Sequence, residues 1–291
     1  MNMVLILAKR NLSIFFRDRM GVFLSLLSSL ILLLLYTFFL GSQIADSLTA
    51  QFSHATDDQV SLFVTTWVFA GVIMITSLTT GLSGMNVFIE DKTTQRFNDF
   101  LVSPISRLQL TFGYLISAFT ISVIMTVIIA AVGQGVLAAN GGALGGEQLL
   151  SVLGYVVLSC AVFSTMSALV ATFIKSSGSF TAVATITGTA LGFLAGAYIP
   201  VGSLPSGVAN VINALPFAQS AMLLRQPFTK DSLDQVTSGN AEAITELQTY
   251  FGIHGSVGDV DLSNGVMIAV MGIIGVVCVG LGAWRIGRSI R

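Results

Sequence analysis

Residues 108–139 read LQLTFGYLISAFTISVIMTVIIAAVGQGVLAA, a run of 32 residues without Asp, Glu, Lys, Arg or His. A helix needs about 20 apolar residues to cross a bilayer core, so this run is long enough to span one. The rest of the chain has a similar composition, because 54% of its 291 residues are hydrophobic and 9% are charged. A soluble domain carries about 25% charged residues. We therefore expect an all-α integral membrane protein, and the composition excludes a soluble enzyme, a disordered chain and a nucleic-acid-binding protein.

Apolar runs of this kind predict six transmembrane helices. Residues 1–20 alternate Leu and Phe with Lys and Arg, a pattern that predicts an amphipathic helix along the cytoplasmic membrane surface. Residues 21–291 then form a single transmembrane domain. The predicted spans cover residues 21–40, 60–85, 108–139, 148–174, 178–199 and 264–284.

The basic residues indicate the orientation of these spans. Of the 13 Lys and Arg residues, only Arg225 and Lys230 fall on one side, which leaves 11 on the other. Loops rich in Lys and Arg stay in the cytoplasm. We therefore expect a multi-pass protein of the cell membrane with both termini cytoplasmic.

Several kinds of chemistry are missing from the sequence. The spans hold no ionisable residue, which disfavours a proton- or sodium-coupled carrier. No G-x-x-x-x-G-K-[ST] motif occurs, so the energy of ATP would have to come from another subunit. Gly81–Gly84 matches the GxSG of intramembrane serine proteases, but both histidines lie in exterior loops and supply no base for Ser83. Neither the histidines nor the two cysteines have metal-ligand spacing, so we expect no metal site.

The loop between the second and third spans carries an apolar stripe. Phe97, Phe100, Leu101 and Pro104 follow helical spacing, whereas Lys92, Arg96 and Asp99 lie on a different face. A short helix that ends before Pro104 is expected. Such a helix either floats at the membrane surface or docks into a groove of a partner, and the pattern does not distinguish the two.

The segment between the fifth and sixth spans predicts two apolar half-helices. Pro205 can start the first and Pro216 the second, and each has about ten residues, half of what a span needs. We expect both to dip back into the outer leaflet. They belong to an exterior cap of about residues 200–263, which becomes polar and acidic from Thr229.

Two segments resemble the signatures of the ABC-2 family of ABC exporter permeases. IEDKTTQRFNDFLVSPISRLQL, residues 89–110, resembles the first, although Gln95-Arg96 stands where many members have Gly-Thr. GAYIPVGSLPSGVANVINALPFAQSAMLLRQPF, residues 196–228, resembles the second, although the polar insertion after it is long. The residues that carry this exterior re-entrant motif are Pro200, Pro205, Pro216 and Arg225.

The resemblance implies a dimer of six-helix subunits, each resting on a cytoplasmic ABC ATPase subunit that binds ATP and Mg. This chain would bind no cofactor itself, and its partners would be the ATPase, a second permease subunit and membrane lipid. The helix after span two would couple to the ATPase, braced by the N-terminal helix. The coupling residues would be Lys92, Arg96, Phe97, Asp99, Phe100, Leu101, Pro104 and Ile105. Spans two and five would line the substrate path, with Thr65, Thr66, Phe69, Ile73, Thr185, Thr189 and Phe193.

The proposed path residues carry no fixed charge, so the substrate is expected to be amphipathic or apolar: a drug, a lipid-linked molecule or an antibiotic peptide. The direction of transport, export from the cell, is implied by the resemblance alone. A passive channel or lipid scramblase working without ATP is an alternative, and a non-transporting scaffold for a sensor complex is another. A Walker A ATPase encoded beside this chain would favour the transporter.

Overall fold

The computed structural model describes residues 3–36, 41–52, 54–97, 100, 105–196 and 198–289. This described part is 84% helical, which confirms the expected all-α class. In chain order the helices are α1 (Met3–Arg17), α2 (Arg19–Leu35), α3 (Gly41–Gln51), α4 (Asp57–Gly84), α5 (Asn86–Thr93), α6 (Arg107–Ala139), α7 (Gly146–Phe173), α8 (Ser177–Leu194), α9 (Ser206–Ala214), α10 (Pro216–Thr237), α11 (Ala241–Tyr250) and α12 (Asn264–Ser289). A 3₁₀ turn (Val201–Ser203) precedes α9, and a two-stranded antiparallel hairpin, β1 (Ser256–Val257) and β2 (Val260–Asp261), precedes α12.

Among the described residues, four segments are long and apolar enough to cross a membrane: Asp57–Thr93, which joins α4 and α5, then α6, α7 and the Asn264–Arg285 part of α12. Two bent pairs bring the number to as many as six if each pair is one span. The pairs are α1 with α2, bent by 79°, and α9 with α10, bent by 86°. The first predicted span coincides with α2, which has 17 residues, while residues 37–40 lie outside the described part. The fifth, residues 178–199, overlaps α8, which has 18 residues, ends at Leu194 and is not among these candidates.

Helix α4 lies at the centre of the bundle and is buried over nearly its whole length. Small residues allow its neighbours to approach closely. A Cβ added at Gly84 would lie 2.8 Å from the Cα of Ala118 on α6, and one at Gly133 of α6 would meet the ring of Phe69 at 2.7 Å. These crossings leave no room for larger side chains, so α4 forms the core of a single subunit.

The two ends of the bundle differ in charge. At one end the Lys92 ammonium donates hydrogen bonds to the carbonyls of Thr172 (3.2 Å) and Ile174 (2.8 Å), and the Arg285 guanidinium lies 3.7 Å from the centre of the Phe173 ring. We call this the basic end. At the opposite end, the acidic end, Asp231 accepts a bond from Gln148 at 2.9 Å. Lys92 and Arg285, which the sequence predicts on one side of the membrane, thus lie at one end of the bundle.

Helix α10 is longer than expected. It has 22 residues instead of about ten and includes Thr229 and Ser232, which the sequence analysis assigned to the polar cap. Both hydroxyls donate to carbonyls of the same helix, at 2.8 and 3.1 Å, which masks their polarity. Leu233 and Val236 meanwhile continue the buried apolar face. The helix ends at Thr237, and the capping residue Ser238 has a left-handed φ of 50°.

Candidate functional site

A lateral cavity of about 790 Å³ opens beside the core. Helices α1 and α2 form one wall, α8 forms the other, and α4 with the start of α5 forms the floor. We call this cavity the lateral groove. Its lining residues are Ile14, Phe15, Asp18, Gly21, Leu24, Ser25, Ile31, Thr79, Leu82, Ser83, Asn86, Val87, Glu90, Phe180, Thr181, Ala184, Thr185, Gly188, Thr189 and Tyr198.

Two rows of hydroxyl groups face the groove. Thr181, Thr185 and Thr189 are four residues apart on α8, and a four-residue spacing places side chains on one helix face. Thr79 and Ser83 form a similar pair on α4. Of these five, only Thr185 and Thr189 were predicted from the sequence as path residues, although the four-residue spacing is a signal that could have revealed the others.

The seven residues expected to line a substrate path are divided among several places. Thr185 and Thr189 lie in the lateral groove, and the half-exposed Phe193 packs edge-on against Tyr198, with ring centres 4.9 Å apart. Thr65 lines a separate cleft of about 640 Å³ between α2, α3, α4 and α6.

The other three, Thr66, Phe69 and Ile73, are buried in the core. The hydroxyls of Thr66 and Ser232 lie 3.0 Å apart, so this face of α4 packs against α10. Within one subunit these three line no open path. The sequence alone does not show which face of α4 is covered by neighbouring helices, and the prediction was made without that information.

At the basic end, the carboxylate of Asp91 on α5 joins three helices. It is 1% exposed and accepts hydrogen bonds of 2.6 and 2.9 Å from the Arg10 guanidinium on α1. The Tyr114 hydroxyl on α6 donates a third at 2.6 Å. The hydrogen bond to Asp91 raises the pKa of Arg10 above its usual range, so the guanidinium stays charged. Bidentate pairs of this kind are strong and directional, and this one fixes α1 to α5.

The aromatic stripe of the predicted coupling helix contacts its own chain. The ring centre of Phe97 lies 5.4 Å from that of Phe88 and 6.0 Å from that of Tyr114. Phe100 packs against Phe97 and lies under the Arg10 guanidinium at 5.6 Å. The half-buried Ile105 packs against the same cluster. These rings therefore hold the segment to its own subunit.

Other residues of this segment have different surroundings. Lys92 ties α5 to the end of α7 through the two bonds given above. Asp99, Leu101 and Pro104 lie outside the described residues, as does the expected helix end before Pro104. Residues 93–96 are exposed at the tip, where Gln95 has a left-handed φ of 60° and Arg96 is 3.7 Å from Asp91. We call residues 93–96 the exposed turn.

The family model described as ABC-2 family transporter protein matches residues 43–284. The chain belongs to the ABC-2 transporter family. It is therefore the membrane-spanning permease part of an ABC transporter, a class that works with an ABC ATPase partner. A comparison with functionally curated proteins gives no significant match.

In this ABC-2 permease the exterior motif is built around a buried cation. Pro205 precedes α9, Pro216 is the first residue of α10, and Pro200 precedes the 3₁₀ turn. Arg225 on α10 is 1% exposed, and its guanidinium donates to the carbonyls of Gly252 (3.0 Å), Ala195 (3.1 Å) and Gly196 (2.8 Å).

The Arg225 guanidinium also lies 5.0 Å from the centre of the Trp67 ring of α4. The Trp67 indole in turn donates to the Phe251 carbonyl at 2.7 Å. Within the described part of the ABC-2 permease, Arg225 has no acidic partner. The side chain thus joins α4, α10, the end of α8 and the cap through backbone carbonyls and one aromatic face.

Proposed function

We propose that this ABC-2 permease is the membrane subunit of an ATP-driven exporter in the cell membrane. Its six spans are α2, α4, α6, α7, α8 and α12, with α1 along the cytoplasmic surface and α9–α10 re-entrant from outside. The lateral groove is one half of the substrate path, and a second permease subunit closes its open side. The observation that carries this proposal is that a groove between α2 and α8 ends at α5, the helix that also holds the coupling segment.

The contacts of α5 suggest how ATP acts on the groove. Asn86, Val87 and Glu90 of α5 line the groove, while Asp91 on the same helix is bonded to α1 and α6. A displacement delivered at the exposed turn therefore moves a wall-forming helix and the groove floor together. ATP and Mg bind on the partner ATPase, and this chain contributes the moving part. The substrate is amphipathic or apolar, such as a drug, a lipid-linked molecule or an antibiotic peptide.

Orientation can be tested by labelling cysteines at the two ends. In a variant lacking Cys160 and Cys278, Ser238→Cys at the acidic end should react with a membrane-impermeant maleimide in intact cells. Thr94→Cys in the exposed turn should react only after permeabilisation, because Lys- and Arg-rich loops stay inside. Labelling of Thr94→Cys alone in intact cells would reverse the orientation.

The ATPase contact can be tested at the exposed turn. The Arg96 side chain is half-exposed and its nearest carboxylates are 3.7 and 3.9 Å away, so reversing its charge costs the subunit little. Across an interface, a like-charge contact costs several kcal/mol. We expect Arg96→Glu to remove most co-purification with the ATPase and to leave membrane insertion unchanged. Lys9→Glu, an exposed charge reversal on α1, is the matched control, and equal co-purification for both variants would contradict docking at the turn.

One observation also favours a lipid scramblase as a second candidate. A hydroxyl-lined groove that is open at its side offers polar contacts to lipid headgroups while their tails stay in the bilayer. The permease would then move fluorescent lipids between leaflets in vesicles without any ATPase. Transport that requires both the ATPase and ATP excludes this candidate.

A further inference from the structure

The hydroxyl groups in the two rows of the lateral groove donate their hydrogen bonds to backbone carbonyls of their own helices. The hydroxyls of Thr181, Thr185 and Thr189 donate to the carbonyls four residues earlier, at 3.1, 2.9 and 3.0 Å. On α4, Thr79 donates to Ile75 at 3.0 Å and Ser83 to Thr79 at 2.9 Å. A hydroxyl has one proton and two acceptor lone pairs. Both rows therefore present acceptor oxygens to the groove.

The charged residues of the groove are also hydrogen-bond acceptors. Asp18 and Glu90 lie at the end formed by α1 and α5, and no Lys, Arg or His lines the groove among the described residues. One oxygen of Asp18 accepts the Gly21 N–H at 3.0 Å, so the other stays available. Among the described residues, the one ion pair of Glu90 is the long contact with Arg96, at 3.9 Å.

Beyond the two carboxylates, the groove walls are largely apolar. Leu24, Ile31, Leu82 and Ala184 line it between the hydroxyl rows. Asn86 and Tyr198 add side chains that can donate a hydrogen bond. A ligand that fits this arrangement has a positively charged, donor-rich head and an apolar body.

We propose that the lateral groove selects amphipathic molecules with a protonated amine, held at Asp18 and Glu90 with the apolar part along α4 and α8. This substrate class rests on the proposed function for its role in transport, but the selectivity belongs to the groove itself. Neutral amphiphiles gain less, because the groove offers few donors to their carbonyl or hydroxyl oxygens. Anionic amphiphiles are excluded by the two carboxylates.

The test uses the full-length permease in lipid nanodiscs and three photoreactive alkyl probes with identical tails. Their heads are a primary ammonium, a trimethylammonium and a carboxylate. We expect the ammonium probe to modify groove residues roughly tenfold more than the carboxylate probe, because charge-assisted hydrogen bonds are the strong ones. The trimethylammonium probe, which has the charge without N–H donors, should fall between them. Equal labelling by the ammonium and carboxylate probes overturns the proposal.

Variants locate the effect within the groove. Asp18→Asn with Glu90→Gln should remove most of the preference, and asparagine can still cap α2. Glu147→Gln with Asp231→Asn, at the acidic end, is the matched control and should keep the preference. A preference that survives the first pair overturns the role of the carboxylates. Thr185→Val with Thr189→Val should weaken ammonium labelling without a change of charge.

These readouts are separate from the test of transport. Labelling needs no ATPase, whereas the proposed function requires ATP-driven movement of a substrate by the complex. Selective labelling without ATP-driven transport of the ammonium probe would contradict the exporter and leave the groove chemistry in place. ATP-driven transport of the carboxylate probe as well as the ammonium probe, with labelling that does not depend on the head group, would contradict the substrate class alone.

Discussion

Arg225→Met should lower the free energy of unfolding by about 3 kcal/mol, because the loss of a buried donor leaves its acceptors unpaired. Arg225 satisfies the carbonyls of Ala195, Gly196 and Gly252, and all three residues are buried. Methionine fills a similar volume but donates nothing. The measurement is thermal unfolding of the purified permease in detergent, together with the yield of folded protein.

Two further variants keep this prediction specific. Arg225→Lys should be intermediate, since an ammonium keeps the charge but cannot reproduce the planar fork or its stacking on Trp67. Lys230→Met, one turn along α10, removes an exposed cation and should change stability little. Equal unfolding midpoints for Arg225→Met and Lys230→Met would show that the buried guanidinium does not hold α8, α10 and the cap together.

Arg10→Gln should detach α1 from α5 and uncouple ATP hydrolysis from transport. The Asp91 carboxylate would keep the Tyr114 hydroxyl but lose both Arg10 bonds while 1% exposed. Breaking a buried pair costs about 3–5 kcal/mol, and the partial exposure of Arg10 reduces this to about 2 kcal/mol. We expect a lower unfolding midpoint and fewer molecules transported per ATP.

The neighbouring basic residue provides the control for this variant. Lys9 is exposed on α1, so Lys9→Gln removes one positive charge without touching Asp91. Arg10→Lys should retain part of the coupling, because lysine makes a single rather than a bidentate contact. A ratio of transport to ATP hydrolysis that is the same for Arg10→Gln and Lys9→Gln would exclude α1 from coupling.

The class and family of the protein could be predicted from the sequence because they rest on local signals. Long charge-free runs such as residues 108–139 need no knowledge of their neighbours. The order of the two family segments was also visible along the chain. The extent of α10 was not, because Thr229 and Ser232 look like surface residues until their hydroxyls are seen bonded within the helix.

The site residues were harder to predict because they depend on which helix faces which. Phe97 and Phe100 have the spacing of an anchor for a partner, but Phe88 and Tyr114 occupy the space beside them. Thr66 lies one residue from Thr65, yet it faces α10 while Thr65 faces an open cleft. A period of 3.6 residues shows which side chains share one face of a helix, but it does not show which other helix packs against that face.

The central claim is that ATP on the partner opens and closes the lateral groove. Thr185→Cys, in a variant lacking Cys160 and Cys278, places one reactive thiol in that groove. The measurement is its maleimide reaction rate in the reconstituted complex, without nucleotide and trapped with ATP and vanadate, with Ser238→Cys as the reference. We expect the maleimide reaction rate to change severalfold at Thr185→Cys between the two states and to stay the same at Ser238→Cys. The same rate in both states, in a complex that hydrolyses ATP, would contradict it.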